Sequence, residues 1–246
     1  MSTALITERA AQVSPRLRAR FAGLFYLICG MAYSYADGSI RGKLVVEGDA
    51  EATAHNILAH QSLYRLGFAA DLVSALCYIT VTLLLYDLLK PVSRSLSLLA
   101  ALFSFAGCII QALSSLFHLS PLVLLGGDHY LSAFNVEQLQ ALALLSLKLR
   151  AETANLYMVF FGWYCLLIGY LIFRSKFLPR ILGVFMAIAG LSYQIFLSPP
   201  LAHDLFANVV KPAGALGELS LILWLLVMGV NASRWKEQAG AAGMRA

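Results

Sequence analysis

Apolar residues in this chain gather into six long blocks, at about 20–38, 62–89, 96–119, 152–173, 178–197 and 213–230. Each comes to roughly the 20 residues that an α-helix needs to cross a bilayer core ~30 Å thick. The chain therefore reads as all-α: a polytopic bundle of six transmembrane helices. Composition agrees, with 13% charged residues, 60% hydrophobic residues and a mean hydropathy of +0.75. A soluble domain carries about 25% charge. The expected organisation is a segment at 1–19, a single membrane domain at 20–230 with outer loops near 39–61 and 120–151, and a tail at 231–246. No convincing small-residue cleavage site follows the first block, so that block is read as a retained helix rather than a signal peptide.

Positive charge sets the expected orientation. One side collects Arg9, Arg16, Arg18, Arg20, Lys90, Arg94, Arg174, Lys176, Arg180, Arg234, Lys236 and Arg245. The other takes Arg41, Lys43, Arg65, Lys148, Arg150 and Lys211. Because Lys and Arg stay cytoplasmic during insertion, both termini are expected inside the cell, in an inner or plasma membrane. The net charge of +5 comes from basic residues dispersed at helix ends, which argues against a nucleic-acid partner.

Both large outer loops carry helix starts. Asp49 is placed to cap a short helix through Ala50–His60. Asn135, with Gln138 three residues on, forms a capping-box pattern ahead of Leu139–Leu149. That second segment fits either an interfacial helix or an extension of the fourth span. The four cysteines, Cys29, Cys77, Cys108 and Cys165, fall in four different blocks without paired spacing, as small buried hydrophobes do.

A faint repeat links the first and fifth blocks. Arg20, Gly23, Phe25, Ile28, Gly30 and Tyr33 recur at the same spacing as Arg180, Gly183, Phe185, Ile188, Gly190 and Tyr193. Each block is followed by an inward span carrying Gly-x-x-x-acid, as Gly67 to Asp71 and Gly214 to Glu218. Glycine at such a position lets a neighbouring backbone approach closely.

Several stretches also carry a family resemblance: Arg41-Gly42-Lys43-Leu44-Val45-Val46-Glu47-Gly48-Asp49-Ala50, Arg65-Leu66-Gly67 with Asp71, Leu89-Lys90-Pro91-Val92, Gly169-Tyr170-Leu171-Ile172-Phe173-Arg174-Ser175, Leu178-Pro179-Arg180-Ile181-Leu182-Gly183, and Gly217-Glu218-Leu219. Together, from about Arg18 to Asn231, they resemble an uncharacterised family of bacterial multi-pass integral membrane proteins, catalogued as a domain of unknown function. The resemblance implies a multi-pass fold and supplies no activity.

The polar residues inside the blocks converge on the outer half. Tyr64, Asp71 and Tyr78 recur every seven residues, and Gln111, Ser114, Ser115 and His118 sit at i, i+3, i+4 and i+7, so each set shares a helix face. Asp37, Glu152, Asn155, Gln194 and Glu218 lie at the same level. A charged side chain facing lipid at mid-helix costs about 2.5–3.5 kcal/mol on insertion scales, so these groups are expected to face inward. The candidate ligand-binding set is Arg65, Asp71, Tyr78, Gln111, His118, Asn155 and Glu218, with Arg65 expected to reach Glu218 and both acids expected in one cavity. Ser114, Ser115 and Gln194 read as interhelical hydrogen bonders, and His118 suits a structural role equally. The histidines His55, His60, His118, His129 and His203 show no zinc-site spacing, so neither metal nor cofactor is expected.

Three functions remain open. The first is a binding or transport protein taking a lipophilic or amphipathic small molecule from the outer leaflet, with membrane lipid around it. The second is an integral-membrane enzyme using two buried carboxyls for acid and base work, such as isomerisation or cyclisation of a lipid or isoprenoid. The third is a structural or assembly protein, a homo-oligomer joined through a small-residue face such as Gly183, Ala187 and Gly190.

Overall fold

The structure, a computed structural model, describes residues 14–243. Its helices are α1 (Pro15–Ser34), α2 (Ala50–Ala59), α3 (Gln61–Leu89), α4 (Arg94–Leu124), α5 (Val136–Arg174), α6 (Arg180–Tyr193), α7 (Pro199–Leu205), α8 (Lys211–Val227) and α9 (Ala232–Ala241), with no strand among the described residues. Wide π-helical turns at Tyr35–Arg41 and Phe206–Val210 prolong α1 and lead into α8.

Local chemistry explains most of the helix starts. Ser14 accepts from the Leu17 amide with Pro15 in the first turn, and Ser93 accepts from the Leu96 amide at the head of α4. Asp49 accepts from the Ala52 amide, as the sequence predicts. The capping box is present in full: Asn135 accepts from the Gln138 amide and the Gln138 side chain accepts from the Asn135 amide. The helix it opens runs unbroken to Arg174, so 136–151 extends the fourth span rather than lying as a separate interfacial helix.

Six of these helices form a ring. α1, α3, α4, α5, α6 and α8 each pack against the next, and α8 closes on α1. Outward positions are apolar, with Leu76 66%, Ile109 62% and Leu223 59% exposed, whereas Ser74, Thr82, Ser104, Gln111 and His118 are buried. Water would penalise such an exterior and hydrocarbon does not. The chain is a multi-pass membrane protein.

Five of the ring helices are long and apolar enough to cross a membrane: 61–89, 94–124, 136–174, 180–197 and 206–227. The first predicted span is not among them, because Arg16, Arg18 and Arg20 occupy the start of α1 and dilute its apolar stretch.

The small-residue stripe expected to form a dimer face is used inside the chain. α5 and α6 run antiparallel, with Gly169 against Gly183 and Gly162 against Gly190. A Cβ on Gly183 would lie 2.5 Å from the Gly169 carbonyl oxygen, and one on Gly169 would lie 2.9 Å from the Ala187 amide nitrogen. Bare backbone meets bare backbone, which is the use small residues have in membrane helix pairs.

The ring end that carries Arg20 and Lys90 is closed. There α9 folds against the bundle, Trp235 is buried, and its indole N–H donates to the Leu88 carbonyl at 2.9 Å. Asn231 ties the same segment to the Phe177 carbonyl at 3.1 Å. The opposite end, marked by Arg41, holds the polar groups.

Candidate functional site

The two intramembrane acids are held in different ways. Asp71 lies on α3 and is 3% exposed. It takes the Arg41 guanidinium as a fork, Nη1 to Oδ2 at 2.7 Å and Nη2 to Oδ1 at 3.3 Å. Arg41 also donates from Nε and Nη2 to Asp37 Oδ1, at 3.2 and 3.1 Å. Arg150 of α5 completes the group, 3.7 Å from Asp71 and 3.9 Å from Asp37. Two arginines and two aspartates thus form a neutral, mostly buried cluster, and the planar guanidinium matches the carboxylate at two points. The π-helical turn carries the chain past Ser34 and places Arg41, counted from the sequence only among the outer-side basic residues, inside the ring.

Around this cluster lies a cavity of only about 10 Å³, lined by Tyr33, Asp71, Gln111, Ser114, Arg150 and Tyr157 among others. His118 closes the neighbouring contact. Its ring stacks on Tyr64 with centroids 4.1 Å apart, its Nε2 lies 3.0 Å from the Tyr64 carbonyl, and the Tyr64 hydroxyl donates to the His118 carbonyl at 2.6 Å. His118 is fully buried in this clasp and joins α3 to α4.

Glu218 sits near the middle of the 206–227 segment and has hydroxyl partners only. Tyr26 of α1 donates to Oε2 at 3.0 Å, and Tyr193 of α6 donates to Oε1. None of the ion pairs among the described residues involves it. Glu218 lines a cavity of about 480 Å³ shared by α1, α3, α4, α5, α6 and α8. The wall is aromatic: Tyr26 meets Tyr78 at 5.4 Å, Tyr78 meets Phe161 at 5.4 Å, and Phe161 meets Tyr193 at 5.3 Å. Gln111 and Ser74 add polar groups on the α3–α4 side.

The two Gly-x-x-x-acid segments now have a physical account. A Cβ on Gly214 would collide with the Tyr193 phenol, so the bare glycine is what lets that tyrosine reach Glu218. A Cβ on Gly67 would press on Ile40 at 3.3 Å, the residue before Arg41, which pairs Asp71. In both segments the glycine admits the neighbour that serves the acid one turn later.

Of the predicted set, Tyr78, Gln111 and Glu218 line the large cavity, and Asp71 lines the small one. The expected shared cavity for Asp71 and Glu218 does not form, although Tyr33, Gln111 and Tyr157 border both voids. Nor does Arg65 reach Glu218. It follows buried Tyr64 on α3, so a ~100° helical step turns it to the exposed side. Asn155 bonds Glu152 on its own helix at 3.2 Å and stays outside the site. The partners that the sequence reading missed are Asp37, Arg41, Arg150, Tyr26 and Tyr193. A signal for Arg150 existed: Ala143, Leu147, Arg150, Ala154, Tyr157, Phe161 and Tyr164 alternate by four and three residues, one inward stripe along α5. Among the described residues, no group of three or more His, Cys, Asp or Glu side chains gathers as a metal site would.

No solved structure matches the chain. A curated relative, an "Uncharacterized protein" of Archaeoglobus fulgidus, is 28% identical over 153 residues, covering 61% of this chain and 76% of the relative. That relative is archaeal, and nothing in the match assigns this chain the bacterial source that the resemblance suggested. The family described as "Domain of unknown function (DUF4386)" matches residues 21–229, nearly the whole helical ring, and the chain belongs to that family.

Proposed function

We propose that the protein binds or carries a lipophilic or amphipathic small molecule, which reaches the large cavity sideways from the bilayer between α1 and α8. The observation that carries this reading is the cavity itself, about 480 Å³ with an aromatic wall and few polar groups. Small-molecule pockets commonly span ~300–1,000 Å³ with that kind of lining. Its rim includes exposed Gly30, Met31 and Ser34 of α1 and exposed Lys211, Ala215 and Leu219 of α8. These helices touch tightly at the far end, where a Cβ on Gly23 would lie 2.8 Å from the Leu226 amide nitrogen. At Gly30 a Cβ would meet nothing within 4 Å. The backbones meet at one end, and residues of both helices line the cavity toward the other.

On this reading α1 crosses as the sixth span, both termini are cytoplasmic, and the rim opens to the outer leaflet of an inner or plasma membrane. Reporter fusions after Arg94 and Lys176 should read as cytoplasmic, and fusions near Asp49 and Asn135 as external. An external signal at Arg94 inverts the assignment. The two-carboxyl enzyme reading is less well supported, since Asp71 is committed to Arg41 and Arg150 and leaves Glu218 alone in the pocket.

A neutral fatty alcohol bearing a diazirine tests the pocket directly. Photolysis should label Met31, Met158, Phe206 or Leu219 saturably. In Gly30→Phe the labelling should fall about tenfold while thermal stability holds, because a Cβ there meets nothing within 4 Å and the added ring stands at the cavity rim. Labelling that never saturates, or that is unchanged in Gly30→Phe, removes the pocket reading.

A further inference from the structure

Each of the two intramembrane acids meets a different kind of partner. Asp71 is matched by guanidinium groups, one of them in fork geometry, within a cluster that already sums to zero. Glu218 is matched by two phenol hydroxyls and no cation, at mid-span and at the wall of an open cavity. A lone carboxylate in hydrocarbon is expensive, so such a carboxyl either holds a proton or pairs with a cation that enters beside it. Each of its oxygens accepts one tyrosine and keeps acceptor capacity for a further donor. Tyr26 and Tyr193 touch it, and Tyr78, Tyr157 and Phe161 line the same cavity. Aromatic rings attract positive charge through their quadrupole, most of all where water is scarce.

We propose that the ligand taken by this cavity is an organic cation, an amine or quaternary onium with apolar substituents, whose charge pairs with Glu218 within the aromatic lining. This inference rests on the lateral-pocket reading above and specifies its ligand. Tyr26 and Tyr193 position the carboxylate from opposite sides, and Gly214 is bare so that Tyr193 can do so. Lys211 is exposed at the rim and lies two helical turns from Glu218, about 10 Å along α8. It stands where a ligand enters rather than where the charge is seated.

Tetraphenylphosphonium and tetraphenylborate share size and shape and differ in the sign of their charge, so they isolate the point at issue. In equilibrium dialysis against protein-free micelles, the purified full-length protein should bind the phosphonium about tenfold or more tighter than the borate. Glu218→Gln keeps the side-chain shape and should erase that preference. A second measurement needs no variant. Dicyclohexylcarbodiimide should modify Glu218 in the wild-type protein, and the phosphonium should suppress this while the borate does not. Equal or reversed affinities, a preference that survives in Glu218→Gln, or modification indifferent to the phosphonium overturns the proposal. Tighter borate binding that is lost in Lys211→Gln would do the same and assign the pocket to anions. The neutral photolabel separates the two levels. Saturable labelling without a charge preference removes only the cation, and absent labelling removes the pocket beneath it.

Discussion

Asp71→Asn should destabilise the protein by about 3–5 kcal/mol, the range for removing one partner of a buried ion pair. The substitution leaves Arg41 and Arg150 facing each other with only half-exposed Asp37 to share. The cost should be asymmetric across the cluster. Arg41→Met should be milder, because Arg150 already stands 3.7 Å from Asp71 and can take over the carboxylate. Arg150→Met should be milder still, since Arg41 holds both aspartates without it. Joining Asp71→Asn to Arg41→Met should recover most of the loss, as apolar or neutral replacement of a whole buried pair often does. Unfolding in mild detergent, with accumulation in the membrane as a second readout, gives the order. If Asp71→Asn is neutral, the cluster does not hold the fold and Asp71 returns as a candidate for ligand binding.

The different settings of Asp71 and Glu218 are not written in the sequence around either residue. Helix faces were legible: Tyr64, Asp71 and Tyr78 are all buried, as are Gln111, Ser114, Ser115 and His118. So were most span ends, and so were both loop caps, because these are local hydrogen-bond patterns written in adjacent residues. Ring order was not legible. Asp71 and Glu218 look alike along the chain, but α3 and α8 both adjoin α1 rather than each other, and only packing decides that. Arg41 was hidden by a π-helical turn, whose extra residue per turn shifts the register that periodicity assumes. Arg150 was hidden because charge at a predicted helix end reads as solvated, while α5 in truth continues for several turns beyond it. Tyr26 and Tyr193 look like ordinary aromatic lining until Gly214 is seen to make room for one of them.

The same reasoning gives the second large effect, at the α5–α6 contact. Gly183→Ala should cost about 1–3 kcal/mol, and Gly183→Leu should prevent accumulation of folded protein. The added Cβ meets the Gly169 carbonyl oxygen at 2.5 Å and the Phe173 amide nitrogen at 2.7 Å. Both are backbone atoms held in their own helix and unable to rotate away, so the helices themselves must part. Parting them also moves Tyr193, which lies on the same helix and donates to Glu218. Cation binding in Gly183→Ala should therefore weaken along with stability. Gly169→Ala breaks the same contact from the other side, so the double variant should cost clearly less than the sum of the two single ones. Strict additivity would mean that the two glycines act at separate contacts. A neutral Gly183→Ala would mean that α5 and α6 do not pack backbone to backbone, and the small-residue stripe would be free again to serve a partner subunit.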